Sequence, residues 1–114
     1  MALKLFLPNA ENAFVANKKI TNYLLDSSNP QNKGKSTFFA NIGYSVSNIE
    51  ILRADLQSIA QNGTVKEVIS NNEGKKYVIV GSILAPNGRN YVLKTVWIVE
   101  FLYNCPRLIT AYPN

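Results

Sequence analysis

The spacing of apolar positions changes along the chain, from a helical repeat in the first half to alternation in the second. The clearest helical repeat has three- and four-residue spacing, at Ile49, Leu52, Leu56 and Ile59. Residues at this spacing share one face of a helix. After Gly63 the apolar period becomes two, which is typical of strands with one buried face. The pattern therefore predicts helices first and a sheet second.

The sequence predicts three helices, at Lys18–Leu25, Gly34–Ile42 and Asn48–Gln61. Asn17 is the predicted N-cap of the first, since an asparagine side chain can accept a hydrogen bond from the first turn. The S-x-x-E sequence at Ser47–Glu50 predicts a capping box for the third, which Gly63 closes. Gly43 predicts a left-handed end for the second.

Four strands are predicted after the helices, at Thr64–Ile69, Lys75–Leu84, Arg89–Phe101 and Leu108–Tyr112. Short turns separate them, which favours an antiparallel meander. A further edge strand is predicted at Ala2–Leu7. The predicted fold class is α+β: three N-terminal helices packed on a four-stranded antiparallel β-meander, in a single domain spanning residues 1–114.

The last two strands predict a register if Glu100 pairs with Pro106. The pairs would then be Lys94 with Tyr112, Val96 with Thr110, and Ile98 with Leu108. The first two pairs would place three polar side chains on one face of the sheet: Lys94, Thr110 and Tyr112. The opposite face would carry Trp97, Val99 and Ile109 towards the core. A slip of one residue would exchange the two faces.

Composition narrows the class of protein. The chain has 114 residues, 46% of them hydrophobic, and a formal net charge of +5. This charge is compatible with binding to RNA or to an acidic protein, and also with a purely solubilising role. The single Cys105 and the lack of a long apolar run near the N-terminus predict a soluble, cytoplasmic protein.

The absence of histidine constrains the chemistry most. It removes the usual general base near neutral pH and the commonest metal ligand, so we expect neither a metal nor another cofactor. The tripeptide Gly34-Lys35-Ser36 lacks the first glycine and the preceding strand of a phosphate-binding loop, which excludes a nucleotide hydrolase of that type. Catalysis would have to use lysine, arginine, tyrosine, carboxyl or hydroxyl groups.

Two groups of residues could bind an anion. Lys33 and Lys35, near the start of the second helix, form either a phosphate clamp or an ordinary surface pair. Arg107 and Tyr112 could hold a phosphate and a base of RNA, or could be a surface arginine and a half-buried strand tyrosine. Two further aromatic residues, Phe38 and Phe39, are predicted to lie in the core.

Several segments together resemble an uncharacterised bacterial domain family. They include "GKSTFFANIGY" from Gly34 to Tyr44, "TVWIVE" from Thr95 to Glu100, and "PRLITAYP" from Pro106 to Pro113. The family is common in cyanobacteria as a small stand-alone protein, and it also forms the terminal module of larger polymorphic toxins. The ending further resembles the last hairpin of toxin nucleases with the barnase/EndoU/RelE-type fold.

The resemblance implies a toxin-like, metal-independent ribonuclease of a bacterial toxin–antitoxin-like pair, with a small acidic antitoxin-like partner. The catalytic residues that it implies are Lys35, Arg107 and Tyr112. The substrate-binding residues would be Lys33, Lys94, Thr95 and Thr110. Many relatives have a His-Pro pair where this chain has Asn29-Pro30, so a histidine base at that position would be missing here. The alternative is a non-catalytic protein- or RNA-binding module.

Overall fold

The computed structural model describes residues 5–114, in which helices precede a sheet as predicted. Helix α1 begins as an α-helix at Asn17–Lys19 and continues as a π-helical turn at Ile20–Leu24. The other two helices are α2, Lys35–Asn41, and α3, Ile49–Asn62. The strands are β1, Thr64–Ser70; β2, Gly74–Leu84; β3, Asn90–Glu100; and β4, Arg107–Pro113. Short 3-10 turns occupy Ala10–Asn12, Pro30–Asn32 and Val46–Asn48.

The predicted edge strand at Ala2–Leu7 does not form in the part that can be described. Residues 5–7 have no regular structure, and residues 2–4 lie outside the described range. The apolar side chain of Leu7 is nevertheless buried in the core. Within the described residues 5–7, Leu7 therefore packs in the core although no strand forms there.

The predicted N-cap was wrong. Asn17 is the first helical residue of α1, and Ala16 occupies the cap position without a side-chain hydrogen bond. The side-chain oxygen of Asn17 accepts a hydrogen bond from the guanidinium group of Arg53 instead. A contact with α3 thus replaces the local cap.

The capping box before α3 lies two residues earlier than predicted, because a 3-10 turn precedes the helix. The backbone N–H of Ser45 donates to Asn48 Oδ1 at 2.8 Å, and the N–H of Ser47 donates to Ser45 Oγ at 3.3 Å. Glu50 pairs with Arg53 rather than with the cap. Gly43 adopts the predicted left-handed conformation, with φ 109°.

The sheet is an antiparallel meander in the order β1-β2-β3-β4. One of its faces joins the helices in a single core whose largest fully buried side chain is Trp97, as predicted. Helix α3 lies so close to β2 that a Cβ on Gly63 would sit 2.7 Å from the Ile79 side chain. Glycine is therefore needed where the helix turns into the sheet.

The register between β3 and β4 agrees with the prediction for only part of its length. Lys94 pairs with Tyr112, and Val96 pairs with Thr110, as predicted. A β-bulge then shifts the ladder, so that Trp97 faces Leu108 and Ile98 faces Arg107. The predicted pairs of Ile98 with Leu108 and of Glu100 with Pro106 were wrong. Leu108, rather than Ile109, belongs to the core beside Trp97.

A chain of buried hydrogen bonds ties β3 to β2. The indole N–H of Trp97 donates to Thr95 Oγ1 at 2.8 Å, and this hydroxyl donates to the Ile79 carbonyl at 2.8 Å. Trp97 and Thr95 have no exposed surface. The threonine hydroxyl therefore satisfies two polar groups that water cannot reach.

Thr95→Val should lower the free energy of unfolding by about 1–3 kcal/mol, because the isosteric change leaves the indole N–H buried without an acceptor. Chemical denaturation of the wild type and the variant measures the difference. Thr64→Val is the matched control, since Thr64 is an exposed threonine in β1. Equal midpoints for the two variants would show that the buried hydroxyl contributes nothing.

Candidate functional site

Lysine, tyrosine and threonine side chains meet where α1 and the start of α2 approach β4. This Lys–Tyr cluster consists of Lys19, Tyr23, Lys35, Lys94, Thr110 and Tyr112. The cluster draws on α1, α2, β3 and β4. Four separate elements therefore position it.

Tyr23 connects the helical half of the chain to the last strand. Its hydroxyl and that of Thr110 lie 3.0 Å apart and share a hydrogen bond. The ammonium nitrogens of Lys19 and Lys35 lie 4.9 and 5.7 Å from the centroid of the Tyr23 ring. Both cations are close enough to stabilise a negative charge on the phenol.

Tyr112 is the second ring of the cluster, and it also lies between two cations. Lys35 Nζ is 5.4 Å from its centroid, and Lys94 Nζ is 5.9 Å away. Lys94 and Tyr112 are opposite each other in the β3–β4 ladder. Lys35 thus contacts both tyrosine rings and is the central cation of the cluster.

The backbone around Tyr23 has an unusual helical form. Tyr23 lies in the π-helical turn, in which the Leu25 N–H donates to the Ile20 carbonyl at 2.9 Å. Such turns are rare and are often found at functional sites. Ile20 and Leu24 are buried in the same turn, so Tyr23 projects from an anchored backbone.

Asn32 positions the start of α2 against α1. Its side chain is buried; the amide nitrogen donates to the carbonyls of Tyr23 and Asp26, at 2.8 and 2.6 Å. Its side-chain oxygen accepts from the Gly34 N–H at 3.1 Å, and its carbonyl accepts from Lys35 Nζ at 3.2 Å. One asparagine therefore links Tyr23 to Lys35.

The phenol of Tyr23 has a pKa below its ordinary value of 10.0. Burial is the largest single influence and raises the pKa, because it disfavours the charged form. The hydrogen bond from Thr110 and the proximity of Lys35 and Lys19 act in the other direction and together outweigh it. The phenolate is therefore more accessible than that of an ordinary tyrosine.

The structure brings together four of the residues that the sequence singled out: Lys35, Lys94, Thr110 and Tyr112. Lys33 lies beside them and lines the same pocket as Lys35 and Tyr112. Its backbone is left-handed, with φ 53°, a strained conformation for a residue with a side chain.

Two of the predicted site residues lie elsewhere. Arg107 begins β4, about 16 Å along the strand from Tyr112 at 3.3 Å per residue. It donates from Nη2 to Glu100 Oε1 at 2.9 Å and lines a separate cavity of about 400 Å³. Thr95 is fully buried on the core face. The Thr95 side chain bonds to the Ile79 carbonyl and that of Arg107 to Glu100, so neither side chain belongs to the Lys–Tyr cluster.

Sequence reasoning missed Tyr23, Lys19 and Asn32. The four-residue spacing of Lys19 and Tyr23 on a helix is a local signal that could have suggested a pair. The contact between Tyr23 and Thr110 joins residues 87 positions apart, and no local pattern predicts it. Asn29, at the position of the expected histidine, caps the turn by accepting from the Gln31 N–H at 2.9 Å.

The cluster can bind an anion and exchange protons. Three ammonium groups supply positive charge, and two phenols and a hydroxyl supply transferable protons.

Within residues 5–114 no group of three or more His, Cys, Asp or Glu side chains could hold a metal ion. No helix in the same range is long and apolar enough to cross a membrane.

Tyr23 should titrate below pH 10, and the Thr110→Val variant should move its titration to higher pH by removing a hydrogen bond to the phenolate. NMR of protein labelled at tyrosine Cζ measures this, with Tyr23→Phe identifying the resonance. Lys66→Ala, which removes an exposed lysine from β1, should leave the titration unchanged. A Tyr23 signal that titrates at or above pH 10 would contradict the account.

Comparisons with known proteins place the chain in a family and reveal a shared fold. One chain of the contact-dependent growth inhibition toxin–immunity protein complex from Klebsiella pneumoniae 342 superposes with a TM-score of 0.71. The match covers 92% of this chain and 96% of that chain, at 15% sequence identity, and so shows similarity of fold. No curated protein matches the sequence. A family model matches residues 6–114, and the chain therefore belongs to the family described as Domain of unknown function (DUF6883).

Proposed function

We propose that the chain is a toxin-like, metal-independent ribonuclease domain of a bacterial toxin–antitoxin-like pair, acting on RNA in the cytoplasm. The observation that carries the proposal is the convergence of Tyr23, Lys35, Lys94 and Tyr112, all of them half-buried, beside the edge strand β4. The fold similarity to a chain of a toxin–immunity protein complex supports the toxin-like part. The net charge of +5 supports a polyanionic substrate.

The reaction that suits these groups is attack by a ribose 2′-hydroxyl on the adjacent phosphorus. The bond from O2′ to phosphorus forms, and the bond from phosphorus to O5′ breaks, which leaves a 2′,3′-cyclic phosphate and a 5′-hydroxyl. The attack needs a base for the 2′-hydroxyl and an acid for the leaving oxygen. It also needs positive charge around the five-coordinate phosphorus.

Tyr23 is the proposed base. Its pKa lies below the ordinary value of 10.0, which favours the phenolate, and the Thr110 hydroxyl 3.0 Å away can donate a hydrogen bond to that form. Lys35 Nζ, lying between the two rings, would neutralise the charge that develops on the phosphoryl oxygens. Tyr112 or Lys94 would protonate the leaving 5′-oxygen, since the Tyr112 ring lies near Lys35 as the Tyr23 ring does, and Lys94 lies near Tyr112.

Because the proposed base must be ionised, cleavage should fall as the pH drops below the pKa of Tyr23. Thr110→Val should shift this limb of the pH–rate profile to higher pH, since the variant loses a contact that lowers the pKa. The profile of kcat/KM on an RNA oligonucleotide measures the shift. A limb that stays at the same pH in Thr110→Val would contradict the role of Tyr23 as base.

Tyr23→Phe and Lys35→Ala should each lower the rate of RNA cleavage by roughly 100-fold or more, as expected for loss of a proton-transfer group or a charge-stabilising group. Cleavage of a labelled RNA, with identification of the 2′,3′-cyclic phosphate, measures the effect. Lys66→Ala is the matched cation control. Arg107→Ala should also be nearly neutral, because Arg107 lies outside the cluster.

Two outcomes would contradict the proposal. A wild-type protein that leaves tRNA, mRNA and ribosomes intact would refute the ribonuclease activity. A large loss in Arg107→Ala with none in Tyr23→Phe would leave a nuclease with its active site elsewhere. Thermal unfolding of each variant separates loss of activity from loss of fold.

The second candidate function is binding to a protein partner, favoured by the turn between β3 and β4. Phe101, Leu102 and Tyr103 are 69, 89 and 64% exposed. Three consecutive exposed apolar residues are unusual on a monomer and often mark an interaction surface. We infer that this apolar turn contacts the small acidic antitoxin-like protein, a role that is compatible with either an active or an inactive domain.

Leu102→Ser should weaken the complex with the small acidic antitoxin-like protein by at least tenfold, because a fully desolvated leucine contributes about 1.5–3 kcal/mol. Co-expression followed by calorimetric titration measures the affinity. Val46→Ser is the matched control, since Val46 is 69% exposed and lies in the 3-10 turn before α3, outside the apolar turn. Equal affinities for the two variants would exclude the apolar turn as the contact.

A further inference from the structure

A pocket of about 320 Å³ adjoins the Lys–Tyr cluster. It is lined by Lys33, Gly34, Lys35, Phe38, Tyr112 and Pro113. Two of these side chains are aromatic, and two are cations. The six lining residues include no carboxylate, so the pocket suits a flat ligand that carries negative charge.

Phe38 lines this pocket and is only partly buried against the core. The sequence predicted both Phe38 and Phe39 as core; only Phe39 is fully buried, whereas Phe38 packs against the core and keeps part of its surface exposed. Edge-to-face contacts fix its ring, at 5.2 Å from Phe39 and 5.9 Å from Tyr91, measured between centroids. A ring held in this way offers a stacking surface that loses little entropy on binding.

The backbone between the two lysines leaves room for a ligand. Gly34 has φ +87°, and a Cβ added there would meet nothing within 4 Å. Lys35 belongs both to the pocket and to the proposed catalytic cluster. A group in the pocket would therefore lie next to a phosphate held by Lys35.

We propose that this pocket binds one nucleobase of the RNA, stacked on Phe38, next to the scissile phosphate. The inference rests on the proposed function, which it deepens by assigning a base subsite and a specificity-determining residue. Lys33 and Lys35 at the rim neutralise the phosphates on either side of the bound nucleotide. Stacking on an aromatic side chain contributes enough to affect substrate binding measurably.

Steady-state cleavage of the sixteen RNA dinucleotides tests the subsite, because each dinucleotide presents a different combination of bases on the two sides of the phosphate. Phe38→Leu should raise KM roughly tenfold or more while kcat stays within about threefold, and it should reduce the preference among bases on one side. Phe38→Tyr keeps the ring and should restore KM. Phe14→Leu is the control, since Phe14 is an exposed phenylalanine outside the pocket.

Binding of uncleavable 2′-deoxy dinucleotides, followed by NMR of ring-labelled phenylalanine, separates this inference from the proposed function. Perturbation of the Phe38 resonances by dinucleotides supports the subsite even if no RNA is cleaved. Cleavage with an unchanged KM in a folded Phe38→Leu variant would overturn the subsite and leave the ribonuclease. Binding that perturbs Phe14 instead of Phe38, or binding of an apolar peptide in the pocket in place of dinucleotides, would also overturn it.

Discussion

The hydrogen-bond chain from Trp97 through Thr95 to the Ile79 carbonyl is the constraint on which the geometry of the sheet depends. It holds two alternate residues of β3 on the core face, where any polar group must be paired. Because side chains alternate along a strand, Lys94 must then lie on the opposite face. The buried pair therefore determines which side of β3 is available to a ligand.

The β-bulge in β4 allows the same strand to place one side chain in the core and two others in the Lys–Tyr cluster. Near the turn, the shifted ladder places Leu108 opposite Trp97 and completes the core. Beyond the bulge, Thr110 and Tyr112 pair with residues on the other face of β3. One strand thus fills the core at one end and supplies the cluster at the other, which explains why its pattern does not alternate regularly.

Local patterns in the sequence predicted most of the fold and four of the six residues of the Lys–Tyr cluster. The helix and strand positions follow from apolar spacing and turn residues, and the pairing of Lys94 with Tyr112 follows from the hairpin. The bulge at Ile109 could not be predicted, because it depends on how Trp97 packs in three dimensions. The same holds for the contact of Tyr23 with Thr110. The separation of Arg107 from Tyr112, in contrast, follows from the extended strand that the sequence itself predicts.

The proposed mechanism uses neither histidine nor metal, because the groups around Tyr23 lower the pKa of its phenol. Tyr23 is anchored by a π-helical turn, and the side chain of Asn32 links its backbone to the start of α2. The chain belongs to the DUF6883 family and shares its fold with a chain of the contact-dependent growth inhibition toxin–immunity protein complex.

The most direct test of the central claim is a crystal structure of the protein with an RNA oligonucleotide that carries 2′-fluoro groups and cannot be cleaved. We expect a backbone phosphate within hydrogen-bonding distance of Lys35 Nζ, with the 2′ position of the preceding ribose facing Tyr23 Oη. A phosphate bound at Arg107 instead, or RNA that avoids the Lys–Tyr cluster altogether, would contradict it.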